Sequence, residues 1–155
     1  MTKQQQGFTM VELVMVIVIL GILAAVALPR IYDLQINARV AKAQAMYGAV
    51  RSASAIAHSA ALVINQTGAT GTVALEGASI TLANGYPAAA SIATAANIND
   101  TNDSVTTSTG ADGVVPTETT IQVNGATRPA SCQVSYKSPA ALGGAPTISV
   151  VTAGC

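Results

Sequence analysis

An apolar run that begins almost at the first residue constrains this chain most. From Leu13 to Leu28 no residue is charged, and between Phe8 and Leu28 the only charge is Glu12. As a helix rising ~1.5 Å per residue, that stretch spans ~30 Å, the thickness of a bilayer's hydrocarbon core. A cleavable secretory signal has a shorter apolar stretch followed by small residues at its cleavage site. Here the run is longer, and only Pro29 interrupts it. A plain signal anchor, with Lys3 on the inner side, explains the length but not Glu12. A carboxylate inside a membrane helix costs ~3 kcal/mol on insertion scales and asks for a cation. The run holds none. A cut between Gly7 and Phe8 would supply one: a new α-amino group about one helical turn before Glu12, able to pair with the carboxylate of the same or a neighbouring chain.

The same residues carry a resemblance. The string Gly7-Phe8-Thr9-Met10-Val11-Glu12-Leu13, with a short polar leader before it and the apolar run after it, resembles the start of a type IV prepilin. The resemblance implies that an intramembrane aspartyl peptidase cuts after Gly7, that Phe8 becomes an N-methylated first residue, and that Glu12 serves assembly. The hydrophobic helix then lies on the retained side of the cut. It anchors the subunit in the inner membrane and later packs into the core of an extracellular filament. "LPRIYDLQINARVAKAQAMYGAVRSA" and "NGYP" are similar to phrases of the mannose-sensitive haemagglutinin type of pilin. The alternative within this group is a pseudopilin of a type II secretion system, which shares the amino-terminal helix. The charged, proline-containing phrase that follows it there is not visible here.

Charge is divided along the chain. Through Arg51 there are five bases (Lys3, Arg30, Arg39, Lys42, Arg51) and two acids (Glu12, Asp33), a net of +3. From Ser52 onward, two bases (Arg128, Lys137) face five acids (Glu76, Asp100, Asp103, Asp112, Glu118), a net of −3. Such asymmetry points to two parts with different tasks. The overall balance of zero argues against a nucleic-acid binder, which carries a basic excess.

The expected organisation has four parts: a leader at 1–7, a transmembrane and filament-core helix at 8–29, an amphipathic helix at 30–62, and a globular head at 63–155. Ile31, Leu34, Ala38, Ala41, Ala45, Ala49 and Ile56 recur at helical steps. Alanine, the best helix former, fills the intervals. Breaks are expected at Gly21 and Pro29, since proline removes a backbone bond and crowds the preceding turn. Arg30, Arg39, Lys42 and Arg51 make either a solvated face or contacts with acids of a neighbouring head, such as Asp100, Asp103 or Glu118. His58 has no second histidine to work with and is assigned no role.

The head reads as an α+β arrangement, three or four antiparallel strands laid over the helix. Two short strands flank Glu76-Gly77 within 72–83, and residues 84–118 read as loop with a short helix. Strand patterns resume at Thr119–Asn124, Ser131–Lys137 and Thr147–Thr152. A hairpin centred on Gly143-Gly144 would set Cys132 opposite Cys155, Val134 opposite Ala153 and Tyr136 opposite Val151. That register separates an apolar face from a polar one and brings the cysteines within disulfide reach. A bridge closing a loop of about 22 residues adds ~3 kcal/mol in the chain-entropy model. An oxidising exterior suits it, and the carboxy-terminal disulfide loop of type IV pilins resembles it.

No Ser-His-acid set, metal-ligand cluster or phosphate-cradling glycine loop can be placed, so no catalytic residue, cofactor or metal is assigned. "NINDTNDS" (Asn97–Ser104) gathers carboxylates and amides without the spacing of a calcium loop. Asn65-Gln66-Thr67, Asn99-Asp100-Thr101 and Asn102-Asp103-Ser104 have the form of glycosylation acceptors. A membrane-tethered binding module is the rival class. The preferred reading is a filament subunit that polymerises with itself and serves adhesion and motility. The partners implied are the inner membrane, the prepilin peptidase and the pilus assembly machinery.

Overall fold

The computed structural model describes residues 8–101, 103, 105–109 and 118–155. One long helix, α1 (Met10–Val63), leads into β1 (Thr70–Leu75), β2 (Ala78–Ala83), β3 (Tyr86–Pro87) and a short helix α2 (Ala89–Ala95). Then follow β4 (Val105–Thr109), β5 (Glu118–Val123), β6 (Gln133–Lys137) and β7 (Thr147–Val151). The chain divides into two units, Met1–Ile36 and Asn37–Cys155.

In the first unit α1 runs through both Gly21 and Pro29, so the expected breaks are not there. Pro29 donates no hydrogen bond, which removes the one that the Ala25 carbonyl would otherwise accept. The surrounding Leu, Val, Ile and Ala residues continue the helix on either side.

In the second unit α1 buries one stripe: Ala43, Met46, Val50, Ala53, Ser54, Ala57 and Ala61, at steps of about one turn. Its end is set by Asn65, which takes a left-handed φ of 56°. The Asn65 N–H donates to the Leu62 carbonyl and the Gln66 N–H to the Ala61 carbonyl, the paired bonds of a Schellman cap.

The α+β class is as expected, but the sheet is not a single one of three or four strands. Among the described residues seven strands form two antiparallel sheets, β1-β2-β3 and β4-β5-β6-β7. In the first, Glu76-Gly77 (φ 50° and 84°) and Asn84-Gly85 (φ 54° and 82°) make two-residue turns with both φ values positive, suited to tight hairpins. Ala57, Ala61, Val73, Ile80 and Leu82 fill the space between α1 and this sheet. The second sheet points Val105, Ile121, Val123, Val134 and Tyr136 at Ala43, Met46, Val50 and Ile92.

Specific polar bonds lock these layers. The Tyr136 hydroxyl, fully buried, donates to the Pro87 carbonyl at 2.7 Å, tying the second sheet to β3. Thr119 Oγ1 donates to the Ala89 carbonyl at 2.6 Å, tying it to α2. His58 stacks on Tyr86 at 3.9 Å, and its Nδ1–H donates to the Gly85 carbonyl at 2.7 Å.

The hairpin register differs from expectation. Gln133 pairs with Val151, Val134 with Val150, Tyr136 with Ile148 and Lys137 with Thr147. The shift is odd, so Val151 lies on the outer face, 43% exposed, and Ile148 and Val150 face the core. Strand β7 ends at Val151, short of Cys155. A turn brings the last residue back: Gly154 N–H donates to the Ser131 carbonyl and Arg128 N–H to the Gly154 carbonyl. A Cβ on Gly154 would stand 2.6 Å from the Arg128 carbonyl oxygen, so only glycine fits this crossing. Cys132 and Cys155 are bonded, with Cα atoms 4.8 Å apart, but as neighbours across a turn and not as opposed strand residues.

Candidate processing and assembly segment

Gly7 and the six residues before it lie outside the described residues. Phe8 and Thr9 precede α1, and the first turn of the helix is closed by a capping box. Thr9, the N-cap, accepts the Glu12 N–H through Oγ1 at 3.3 Å. Glu12 reaches back three residues, its Oε2 accepting the Thr9 N–H at 3.0 Å and the Thr9 hydroxyl at 2.8 Å. Thr9 is the residue that sequence reading misses. The T-x-x-E spacing was visible, but treating Glu12 only as a charge in need of a cation passes over it.

The helix that follows is apolar on every side. Met10, Leu20, Val26 and Leu28 are each more than half exposed, as are most large side chains between Phe8 and Leu34. The stretch has a mean hydropathy of 3.0 over an 18-residue window. A helix coated this way requires an apolar surrounding, either lipid or other apolar helices.

The cations placed beyond it divide. Arg39 turns into its own head, Nη1 donating to the main-chain oxygen of Cys155 at 3.2 Å, so it clamps the carboxy-terminal turn and is not free for a neighbour. Arg51 is exposed and Lys42 half-buried. Two acids considered as their partners are also engaged locally. Asp100 Oδ1 accepts the Thr107 hydroxyl at 2.6 Å and its N–H at 3.2 Å, and Asp103 Oδ2 accepts the Asn99 N–H at 2.8 Å. Among the described residues no group of three His, Cys, Asp or Glu is placed to hold a metal ion.

Beneath the head, burial pushes the Tyr136 phenol up to about 12, the Ser54 hydroxyl beside it pulling the other way. This fixes the proton that bonds Pro87, a role the sequence does not announce, since Tyr136 and Pro87 stand far apart in the chain.

These features define a class: a chain with one uniformly apolar amino-terminal helix and a disulfide-closed α+β head. Residues 2–28 match the prokaryotic N-terminal methylation motif. The chain is 56% identical over 52 residues to "Type IV narrow pilus major component PilA5" of Thermus thermophilus, covering 34% of this chain and 45% of that protein. It is 54% identical over 43 residues to "Type IV major pilin protein PilE1" of Neisseria gonorrhoeae, covering 28% and 26%. A "Fimbrial protein" of Pseudomonas aeruginosa is 40% identical over 52 residues, covering 34% of each chain. The chain thus spans less than half the length of these relatives. No solved structure matches it significantly. Through its amino-terminal segment the chain is similar to these pilus proteins.

Proposed function

We propose that this chain is the structural subunit of a type IV pilus, made as an inner-membrane precursor and polymerised with itself into an extracellular fimbrium. What carries the reading is the coincidence, within residues 2–28, of the methylation motif, the Thr9–Glu12 capping box and an exposed apolar coat. Residues 1–7 are the leader, removed by a prepilin peptidase between Gly7 and Phe8, and the new Phe8 amine is methylated. Glu12 then has two successive roles. In the precursor it caps its own helix through Thr9. In the filament it meets the Phe8 amine of a neighbouring copy, while residues 8–29 exchange lipid for the apolar helices of other subunits.

The task is structural, not catalytic, with the assembly machinery as partner and the head presented outward. The pilus names of the relatives favour this reading over the pseudopilin one. The phrases at residues 28–53 and "NGYP" support the mannose-sensitive haemagglutinin type. The test is to shear cells that produce the chain and image the released material. The chain is expected as the main component of micrometre-long fibres. Confinement of the chain to membranes, with no fibres, would contradict the proposal.

A further inference from the structure

We infer that the head carries a binding site for a small free alkylamine in its ammonium form, a function beyond the pilus reading and independent of it. The site is a groove of about 390 Å³ between the second half of α1, the Glu76-Gly77 turn and the end of α2. Ala53, Ile56, Leu75, Ala78 and Ala95 give it an apolar floor and walls. Ile56 stays 59% exposed there. The volume lies within the ~300–1,000 Å³ of small-molecule pockets. Eleven described residues line it, well short of the roughly 20–30 that a protein partner covers.

One carboxylate stands on this apolar surface, in a backbone conformation that is costly to hold. Among the described residues four besides glycine take a left-handed φ: Asn65, Asn84 and Asn97 at 56°, 54° and 53°, and Glu76 at 50°. Asparagine suits that region because its short amide bonds to the nearby backbone, a relief that glutamate lacks. The next hairpin turn, Asn84-Gly85, has the same pair of positive angles and shows what the turn alone asks for. The Glu76 carboxylate has neither a hydrogen bond nor an ion pair with any described residue. An outlier of this kind at the rim of a cavity points to function.

Charge selects the ligand. Asn97 and the end of α2 also line the groove, and the carboxy-terminal end of a helix carries partial negative charge. Arg51 is two residues from Ala49 and from Ala53, about half a turn round α1 from both, and is not among the lining residues. An acidic rim over an apolar floor suits a cation with an aliphatic body and rejects a carboxylate of the same shape. A primary ammonium brings three N–H donors for the Glu76 carboxylate and the Asn97 amide oxygen, while its alkyl chain covers Ile56.

The test titrates the full chain in detergent, its methyl groups isotope-labelled, with n-butylammonium, n-butanol and n-butyrate. These place three head groups on one alkyl chain. Butylammonium should shift the methyl signals of Ile56, Leu75 and Ala78 and bind about threefold to fivefold more tightly than butanol, with butyrate weakest. Glu76→Asn should level butylammonium with butanol while raising the melting temperature of the head. Ala78→Leu should fill the groove and abolish the shifts; should it not fold, Glu76→Asn decides alone. Butyrate binding as well as butylammonium would overturn the inference, as would an unchanged preference or a lowered melting temperature in Glu76→Asn. Tighter binding of N-acetyl-lysine N-methylamide than of butylammonium would also overturn it, assigning the groove to lysines of a partner protein. No arm of this test needs fibres, so their absence from the unaltered chain would bring down the pilus reading alone.

Discussion

Residues 8–36 and 37–155 are both rich in Leu, Ile, Val and Ala, and both contain part of α1, yet they treat their apolar side chains in opposite ways. In the second region Val50, Ile80, Ile92 and Ile121 are fully buried. In the first, Ile17, Leu20 and Val26 are 57%, 57% and 68% exposed. Helix formation is local and needs no partner, so one helix passes through both regions. Burial is not local. From Asn37 onward the helix alternates small buried residues (Ala43, Ala53, Ala57, Ala61) with polar ones, and its own sheets close over that stripe. Before it, large side chains point all round, and no single sheet could cover them. The head supplies its own core; the amino-terminal segment must be given one.

The largest effect should come from truncating matched isoleucines in the two regions. Ile121→Ala, at a fully buried site, should lower head stability by about 3–4 kcal/mol. Ile17→Ala should leave it unchanged within error. Chemical unfolding of the detergent-solubilised chain, followed by tyrosine signal, measures both. Equal losses would erase the distinction between the regions.

Opening the carboxy-terminal turn comes next. Cys132→Ser should cost about 3 kcal/mol of head stability through loop entropy alone. In protein from the cell surface both cysteines should resist alkylation until a reductant is added. Ready labelling of folded, unreduced protein would show that the head stands without this closure.

A smaller effect tests the buried phenol. Because Tyr136 ionises near 12 when folded and near 10 when unfolded, the folded state favours the neutral form. The stability this contributes is complete below pH ~10 and drains away as the pH rises toward ~12, by ~2.7 kcal/mol in all. Tyr136→Phe should flatten that alkaline slope while costing about 1 kcal/mol at neutral pH, from the lost bond to Pro87. An unchanged slope would mean that another group governs alkaline unfolding.

Smallest in free energy, though visible in fibre yield, is the charge of Glu12. Glu12→Val should still enter the membrane, be cut after Gly7 and keep its head, but fibre yield should fall by about tenfold or more, since the carboxylate that would meet a neighbour's Phe8 amine is gone. Glu12→Gln separates the two roles, retaining one side-chain acceptor oxygen for the Thr9 cap but no charge. Fractionating cells into membrane and sheared pools measures both variants. Normal yield from Glu12→Gln would assign the residue to capping alone.

The legibility of the sequence follows the same division. The apolar helix was legible because large apolar residues repeat across the whole stretch, and its end because Gly68 and Gly71, amid threonines, lie just beyond it. The Glu76-Gly77 hairpin was legible from its turn residues. Strand β4 was not: "VTTST" has a single large apolar residue, Val105, and its pairing with Thr119–Val123 is decided by tertiary contact. The β6–β7 register failed for a similar reason. Setting Cys132 directly opposite Cys155 forced an odd slip, whereas Arg128, Ser131 and Gly154 form a crossing that no periodicity reveals. Continuity through Pro29 was missed because the missing hydrogen bond was weighed without the strong helix formers on both sides. Within the candidate segment Glu12 stood out by its isolation, while Thr9 was ordinary in type and gains its role only from the three-residue spacing.

The distinction between a head that covers itself and a segment kept for others to cover rests most directly on the amino terminus of the filament protein. Mass spectrometry of the chain from sheared fibres should show residues 1–7 absent, Phe8 first, one added methyl group on its amine, and the whole apolar helix retained. A filament chain that still carries residues 1–7, or one that has lost the apolar helix, would contradict it.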